Sequence, residues 1–99
     1  MIKHIVLFKF KEGISNELRS TAFKTFKNGI ENLTGVIPFI REVHVGMNCN
    51  EIEKWDICLY SIFDNLDDVR LYSAHPAHKA IAGELMKLIQ ERACVDFEV

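Results

Sequence analysis

From Ile2 to Lys11 the chain alternates as a strand does, with the mainly apolar Ile2, His4, Val6, Phe8 and Phe10 on one side and the mixed Lys3, Ile5, Leu7, Lys9 and Lys11 on the other. Period two predicts a strand. After Gly13 the period lengthens. Ser15 is a good N-cap, Glu17 suits the first turn, and Leu18, Ala22, Phe26, Ile30 and Leu33 form the buried stripe of a helix that Thr34-Gly35 stops. Phe39 to Met47 reads as a second strand and 48–53 as a polar connection. Trp55 to Phe63 is a third strand, apolar on both sides: Trp55, Ile57, Leu59 and Phe63 against Cys58, Tyr60 and Ile62. Leu66, Val69 and Tyr72 then mark a short helix from Asn65, broken before Pro76. A second segment carrying His78, Ile81, Ala82, Leu85 and Ile89 runs to about Glu91. Ala93 to Val99 alternates again, predicting a last strand with Ala93, Val95, Phe97 and Val99 inward and Cys94, Asp96 and Glu98 outward.

The order strand, helix, strand, strand, helix, strand is that of an α+β, ferredoxin-like domain: a four-stranded antiparallel sheet with its helices on one face, filled by one domain over residues 1–99. The helices cover one face only. Yet the first and third strands, central in such a sheet, carry apolar residues on both, so a second copy packed against the open face is the expected partner. At 48% hydrophobic and 26% charged residues, the composition is that of a folded globule. A formal charge of −2 gives no basic field for nucleic acid, and no apolar run is long enough for a membrane span or a signal peptide, which predicts a cytoplasmic protein. Cys49, Cys58 and Cys94 form no Cys-x-x-Cys pair and are expected as free thiols. His75 and His78 are poorly spaced for a metal, and no phosphate-binding or dinucleotide motif occurs, so neither metal nor cofactor is expected.

The candidate chemistry lies in Tyr72-Ser73-Ala74-His75-Pro76-Ala77-His78, which places one phenol and two imidazoles around a helix break. Tyr72 and His78 both start from the inward side of their helices, where a polar side chain needs a partner or a ligand. Each residue alone is ordinarily a packed, hydrogen-bonded core group. Together they put a base that titrates near neutrality within reach of a phenolic donor. His75, next to the proline, reads as a cap for the second helical segment. His44, between Val43 and Val45, falls on the sheet's other face.

The opening Ile2-Lys3-His4-Ile5-Val6-Leu7-Phe8-Lys9-Phe10-Lys11, the His75-Pro76-Ala77-His78 turn and the closing Val95-Asp96-Phe97-Glu98 together resemble the stress-responsive α/β-barrel (Dabb) family, over essentially the whole chain. The resemblance implies a ferredoxin-like domain that pairs through its sheets into a dimeric α+β barrel. The family includes domains without an assigned reaction and a cofactor-free polyketide cyclase that works by an aldol reaction. The cyclase's catalytic tyrosine and histidine match Tyr72 and His78. A third pocket histidine matches His4 and a fourth falls at Ile57, which makes His4 and Ile57 the implied ligand-pocket positions. Two functions follow as expectations: a homodimeric domain with a small apolar cavity for a metabolite, or an aldol enzyme acting on a β-keto compound with His78 as base and Tyr72 as donor. A cofactor-free monooxygenase, known on related barrels, has no motif of its own here.

Overall fold

The computed structural model describes residues 1–99 and contains four strands, β1 (Ile2–Phe10), β2 (Glu42–Met47), β3 (Ile57–Phe63) and β4 (Ile89–Glu98), with helices α1 (Asn16–Glu31), α2 (Leu66–Ala74) and α3 (Pro76–Met86). All pairings are antiparallel, in the order β2-β3-β1-β4. The ferredoxin-like expectation holds, with β1 and β3 central. The Ser15 hydroxyl accepts from the Leu18 amide at 3.1 Å and caps α1, as its position predicts. A single 3-10 turn over Asn32–Gly35 carries the last stripe residue, Leu33, into the core.

Several boundaries differ from the sequence reading. β2 starts at Glu42 rather than Phe39, and β3 at Ile57 rather than Trp55. α3 ends at Met86, not near Glu91, because residues from Ile89 onward are taken up by the free edge of β1: Ile89 pairs with Phe10 and Glu91 with Lys9. A register shift between Lys9 and Phe10 accommodates this longer strand. Ile89 is buried as foreseen, but from a strand and not from a helix stripe.

The larger correction concerns which way β4 faces. Its register sets Asp96 opposite His4, Cys94 opposite Val6 and Arg92 opposite Phe8, so these three lie on the helix-covered side. Ala93, Val95 and Phe97 share the open face with Lys3, Ile5 and Leu7, and Val95, Phe97 and Val99 are largely exposed. Alternation assigns residues to two faces but does not say which face meets the helices. A one-residue change of register exchanges them.

The core lies between the helices and the inner face of the sheet, built from Val6, Phe8 and Phe10 of β1, Ile57, Leu59 and Phe63 of β3, and Phe26, Ile30, Val69 and Leu85 of the helices. The other face has no covering element. Ile5, Leu7, Tyr60, Ile62, Val95 and Phe97 stand on it, and Leu7 borders two shallow grooves of about 310 Å3 and 120 Å3. His44 lies on this same face, stacked on Tyr60 with ring centroids 6.1 Å apart, as its place in β2 predicts. No helix is long and apolar enough to cross a membrane.

Candidate functional site

The break between α2 and α3 is built by two caps and a proline. Asn65 caps α2 by accepting from the Asp68 amide at 2.8 Å. His75 leaves the helical region, with φ −64° and ψ 132°, as a residue before proline must, and Pro76 occupies the first turn of α3 where no amide is needed. The His75 imidazole caps α3, its Nδ1 accepting from the Ala77 amide at 3.1 Å. That duty fixes His75 in a structural role. Tyr72, one turn before the break, and His78, in the first turn after it, are thereby turned toward each other and toward β1.

Their rings touch, with centroids 4.4 Å apart. Phe63 packs against Tyr72 at 5.0 Å and His4 at 6.2 Å, so a phenol and two imidazoles share one aromatic cluster over the inner face of the sheet. Tyr72 is fully buried, and neither its hydroxyl nor Nδ1 of His78 has a hydrogen-bond partner. Buried polar atoms in this condition are rare in folded proteins, and leaving one unpaired costs about 1–3 kcal/mol. Burial pushes the Tyr72 phenol far above its ordinary range, which keeps it a neutral donor. Burial also lowers the pKa of His78 below its ordinary 6.5. The Ser73 backbone opposes that shift without closing a hydrogen bond to Nδ1, and repulsion from His4, Arg92 and His75 adds to it.

A linked effect on stability follows. The folded chain resists the proton that an unfolded His78 takes up below its ordinary value, so this contribution is fully present above about pH 6.5 and is lost as pH falls through the lowered folded value. Melting temperature is expected to drop between pH 7.5 and 5.5, and His78→Gln is expected to flatten part of that drop. An unchanged slope in the variant would show that His78 binds its proton as readily folded as unfolded.

His4 is oriented differently. Its Nδ1 meets Asp96 Oδ1 at 2.5 Å across the β1–β4 pair, with the imidazole buried and the carboxylate part-exposed. The carboxylate selects the tautomer protonated at Nδ1, which leaves Nε2 as an acceptor. Cys94 Sγ approaches the same Nδ1 to 3.7 Å, and one donor atom from each of His4, Cys94 and Asp96 falls within a 4.8 Å cluster. A metal held by that nitrogen and that oxygen would have to push them apart, since tetrahedral ligands about 2.0–2.2 Å from an ion stand roughly 3.3 Å from one another.

A cavity of about 140 Å3 opens beside these groups, lined by His4, Val6, Phe8, Phe26, Leu59, Ser73, His78, Ala82, Met86 and Arg92. His4 and His78 border it. Tyr72 does not: it lies behind the His78 ring, within the wall. Ile57, the other implied pocket position, is also outside, because it pairs with Phe8, two inward-facing rungs along the sheet from the His4–Ser61 pair, and is packed into the core there. A larger groove of about 580 Å3 runs beneath the 48–56 loop, but most of its lining residues are polar and none is a histidine. Sequence reasoning missed Asp96 and Arg92 as neighbours of the site, because both follow from the register of β4.

The sheet, the broken helix and the inward histidines define a class of small α/β domain in which a cavity lies between helices and sheet. The chain belongs to the stress responsive A/B barrel domain family, whose model matches residues 2–99. It is 29% identical over 97 residues to olivetolic acid cyclase of Cannabis sativa, a match covering 95% of this chain and 91% of the cyclase. To the stress-response A/B barrel domain-containing protein HS1 of Arabidopsis thaliana it is 27% identical over 100 residues, covering 98% of this chain and 88% of the relative. Among solved structures, a dimeric protein of unknown function with a ferredoxin-like fold from Bacteroides fragilis superposes with a TM-score of 0.96 at 46% identity, covering 99% of this chain and 95% of that one.

Proposed function

We propose that the chain works as a homodimer, each subunit binding a small carbonyl compound in the cavity beside His78 and moving a proton on the carbon next to the carbonyl. One observation carries this reading: two buried polar atoms on touching rings, the Tyr72 hydroxyl and Nδ1 of His78, are left without partners in a core that satisfies its other side chains. A substrate oxygen is a fitting missing partner. Similarity to a cyclase, over nearly the full length of both chains, supports the chemistry.

In this mechanism the unprotonated nitrogen of His78 takes a proton from the carbon α to the carbonyl, and the C–H electron pair moves into the carbon skeleton to give an enolate. The lowered pKa of the imidazole keeps it neutral, and so available as a base, at pH 7. The developing charge on oxygen is met by the Tyr72 O–H, which remains protonated. The proton held by His78 then returns to carbon, or to the alkoxide formed when the enolate attacks a second carbonyl. His4, held by Asp96, forms part of the wall of the same cavity. Because Tyr72 lies behind His78, its donor role requires the bound oxygen to displace the imidazole from the phenol.

Size separates this reading from polyketide cyclisation. Pockets for drug-sized ligands run to about 300–1,000 Å3, whereas this cavity holds about 140 Å3, room for a short-chain ketone and not for a long thioester. The same smallness favours a second reading, in which the cavity binds a metabolite without turning it over. Deuterium uptake separates the two. In D2O, the protein is expected to accelerate exchange at the central carbon of pentane-2,4-dione, with the acceleration lost in His78→Gln. Saturable binding with exchange at the buffer rate would leave only the binding reading.

The open sheet face supports the dimer. It is apolar at Ile5, Leu7, Tyr60, Ile62, Val95 and Phe97, and a symmetric contact between two such faces removes both from water at once. The relative of known structure at 46% identity is dimeric.

A further inference from the structure

Arg92 is the only one of the four arginines in the chain whose guanidinium has no carboxylate within salt-bridge distance. Arg19 faces Asp56 at 3.7 Å, Arg41 holds Asp64 at 2.6 Å and Arg70 holds Asp67 at 2.8 Å. Arg92 instead borders the cavity, on the inner face of β4 opposite Phe8, beside His4 and His78. The carboxylate nearest along its strand face, Asp96, is already committed to His4. An unpaired guanidinium beside a small cavity of mainly apolar walls is a receptor for a planar anion, which it binds through two parallel N–H donors.

We infer that the natural ligand of this cavity is an anion, a short oxo acid whose carboxylate is held by Arg92 while its carbonyl end lies against His78. The inference rests on the carbonyl-binding reading above and adds the ligand's charge. Arg92, His4 and His78 all line this one cavity, so a small ligand held by Arg92 is enclosed with both imidazoles. The remaining lining is apolar or neutral and holds no acidic residue, and the nearby carboxylate of Asp96 is engaged by His4. The positive charge of Arg92 also stabilises the enolate of such an acid, placing it as a positioning residue for proton transfer.

The test compares 3-oxobutanoate with pentane-2,4-dione, which have the same number of non-hydrogen atoms and differ in charge, by NMR titration of the wild-type protein, Arg92→Gln and Arg92→Lys. Arg92 is exposed and without an ion pair, so both variants are expected to keep the wild-type melting temperature. Loss of a charge-assisted, two-donor contact predicts that 3-oxobutanoate binds Arg92→Gln about tenfold or more weakly than wild type, with Arg92→Lys between them. The neutral dione should bind all three alike. Equal binding of the acid by wild type and Arg92→Gln, acid affinity no better than that of the dione, or no binding of the acid at all would each overturn the inference. Deuterium uptake on the same samples keeps it distinct from the proton-transfer reading. Arg92-dependent binding without His78-dependent exchange supports the anion site and removes the chemistry, whereas His78-dependent exchange of the dione with no Arg92 effect on the acid does the reverse.

Discussion

Leu7→Glu is expected to break the homodimer or unfold it outright. Leu7 stands mid-strand on β1, on the open face, and borders grooves on both sides: one lined by Gly46, Met47, Trp55 and Cys58, the other by Ile5, Ala93 and Val95. If a second copy covers this face, a carboxylate there is buried with no partner, at a cost of several kcal/mol counted twice by symmetry. A loss of about 3 kcal/mol raises a dissociation constant more than a hundredfold. Light scattering at micromolar concentration should therefore find a dimer for the wild type and a monomer or aggregate for the variant. A monomeric wild type, or an unchanged dimer in Leu7→Glu, would remove the open face as the interface. Lys3→Glu, toward the end of the same strand, is the control: Lys3 already places a charge over Tyr60, 5.6 Å from its ring, and the change should be mild.

The second large effect is expected at the cluster itself, and its signature is opposite in stability and function. Tyr72→Phe removes a buried hydroxyl that has no partner, so the melting temperature should hold or rise, in contrast to the loss expected when a hydrogen-bonded tyrosine is truncated. His78→Gln should likewise cost little at neutral pH. Exchange or turnover should fall by about 10²–10⁴ in the base variant and by about 10²–10³ in the donor variant. Groups held for chemistry are often suboptimal for stability. If both variants lose stability and neither changes ligand binding or exchange, Tyr72 and His78 are only core residues.

Much of this arrangement was legible in the chain. Alternation grouped His4 with Val6 and Phe8 and the family resemblance set that group on the helix-covered side, Ser15 marked the start of α1, and Pro76 located the break that brings Tyr72 and His78 together. His75 as a cap and His44 on the far face followed from the same local rules. What was not legible depends on pairing. β4 read as a strand from Ala93, but its true start at Ile89 depends on the edge that β1 offers, and its facing depends on a register that no local pattern specifies. Asp96 and Arg92, which orient His4 and border the cavity, were hidden for that reason. The place of Tyr72 behind His78, and of Ile57 deep in the core away from the cavity, was equally beyond a reading by faces alone, since a residue can face inward without reaching a cavity.

The central claim is that the unpaired groups of the cluster await a ligand in the cavity beside His78. A crystal structure grown with pentane-2,4-dione tests it most directly. The account predicts the dione in that cavity, one carbonyl oxygen within hydrogen-bond distance of the Tyr72 hydroxyl, the His78 ring turned from its present contact, and the central carbon next to an imidazole nitrogen. A dione bound only in the polar groove beneath the 48–56 loop, with Tyr72 and His78 packed as they are now, would contradict it.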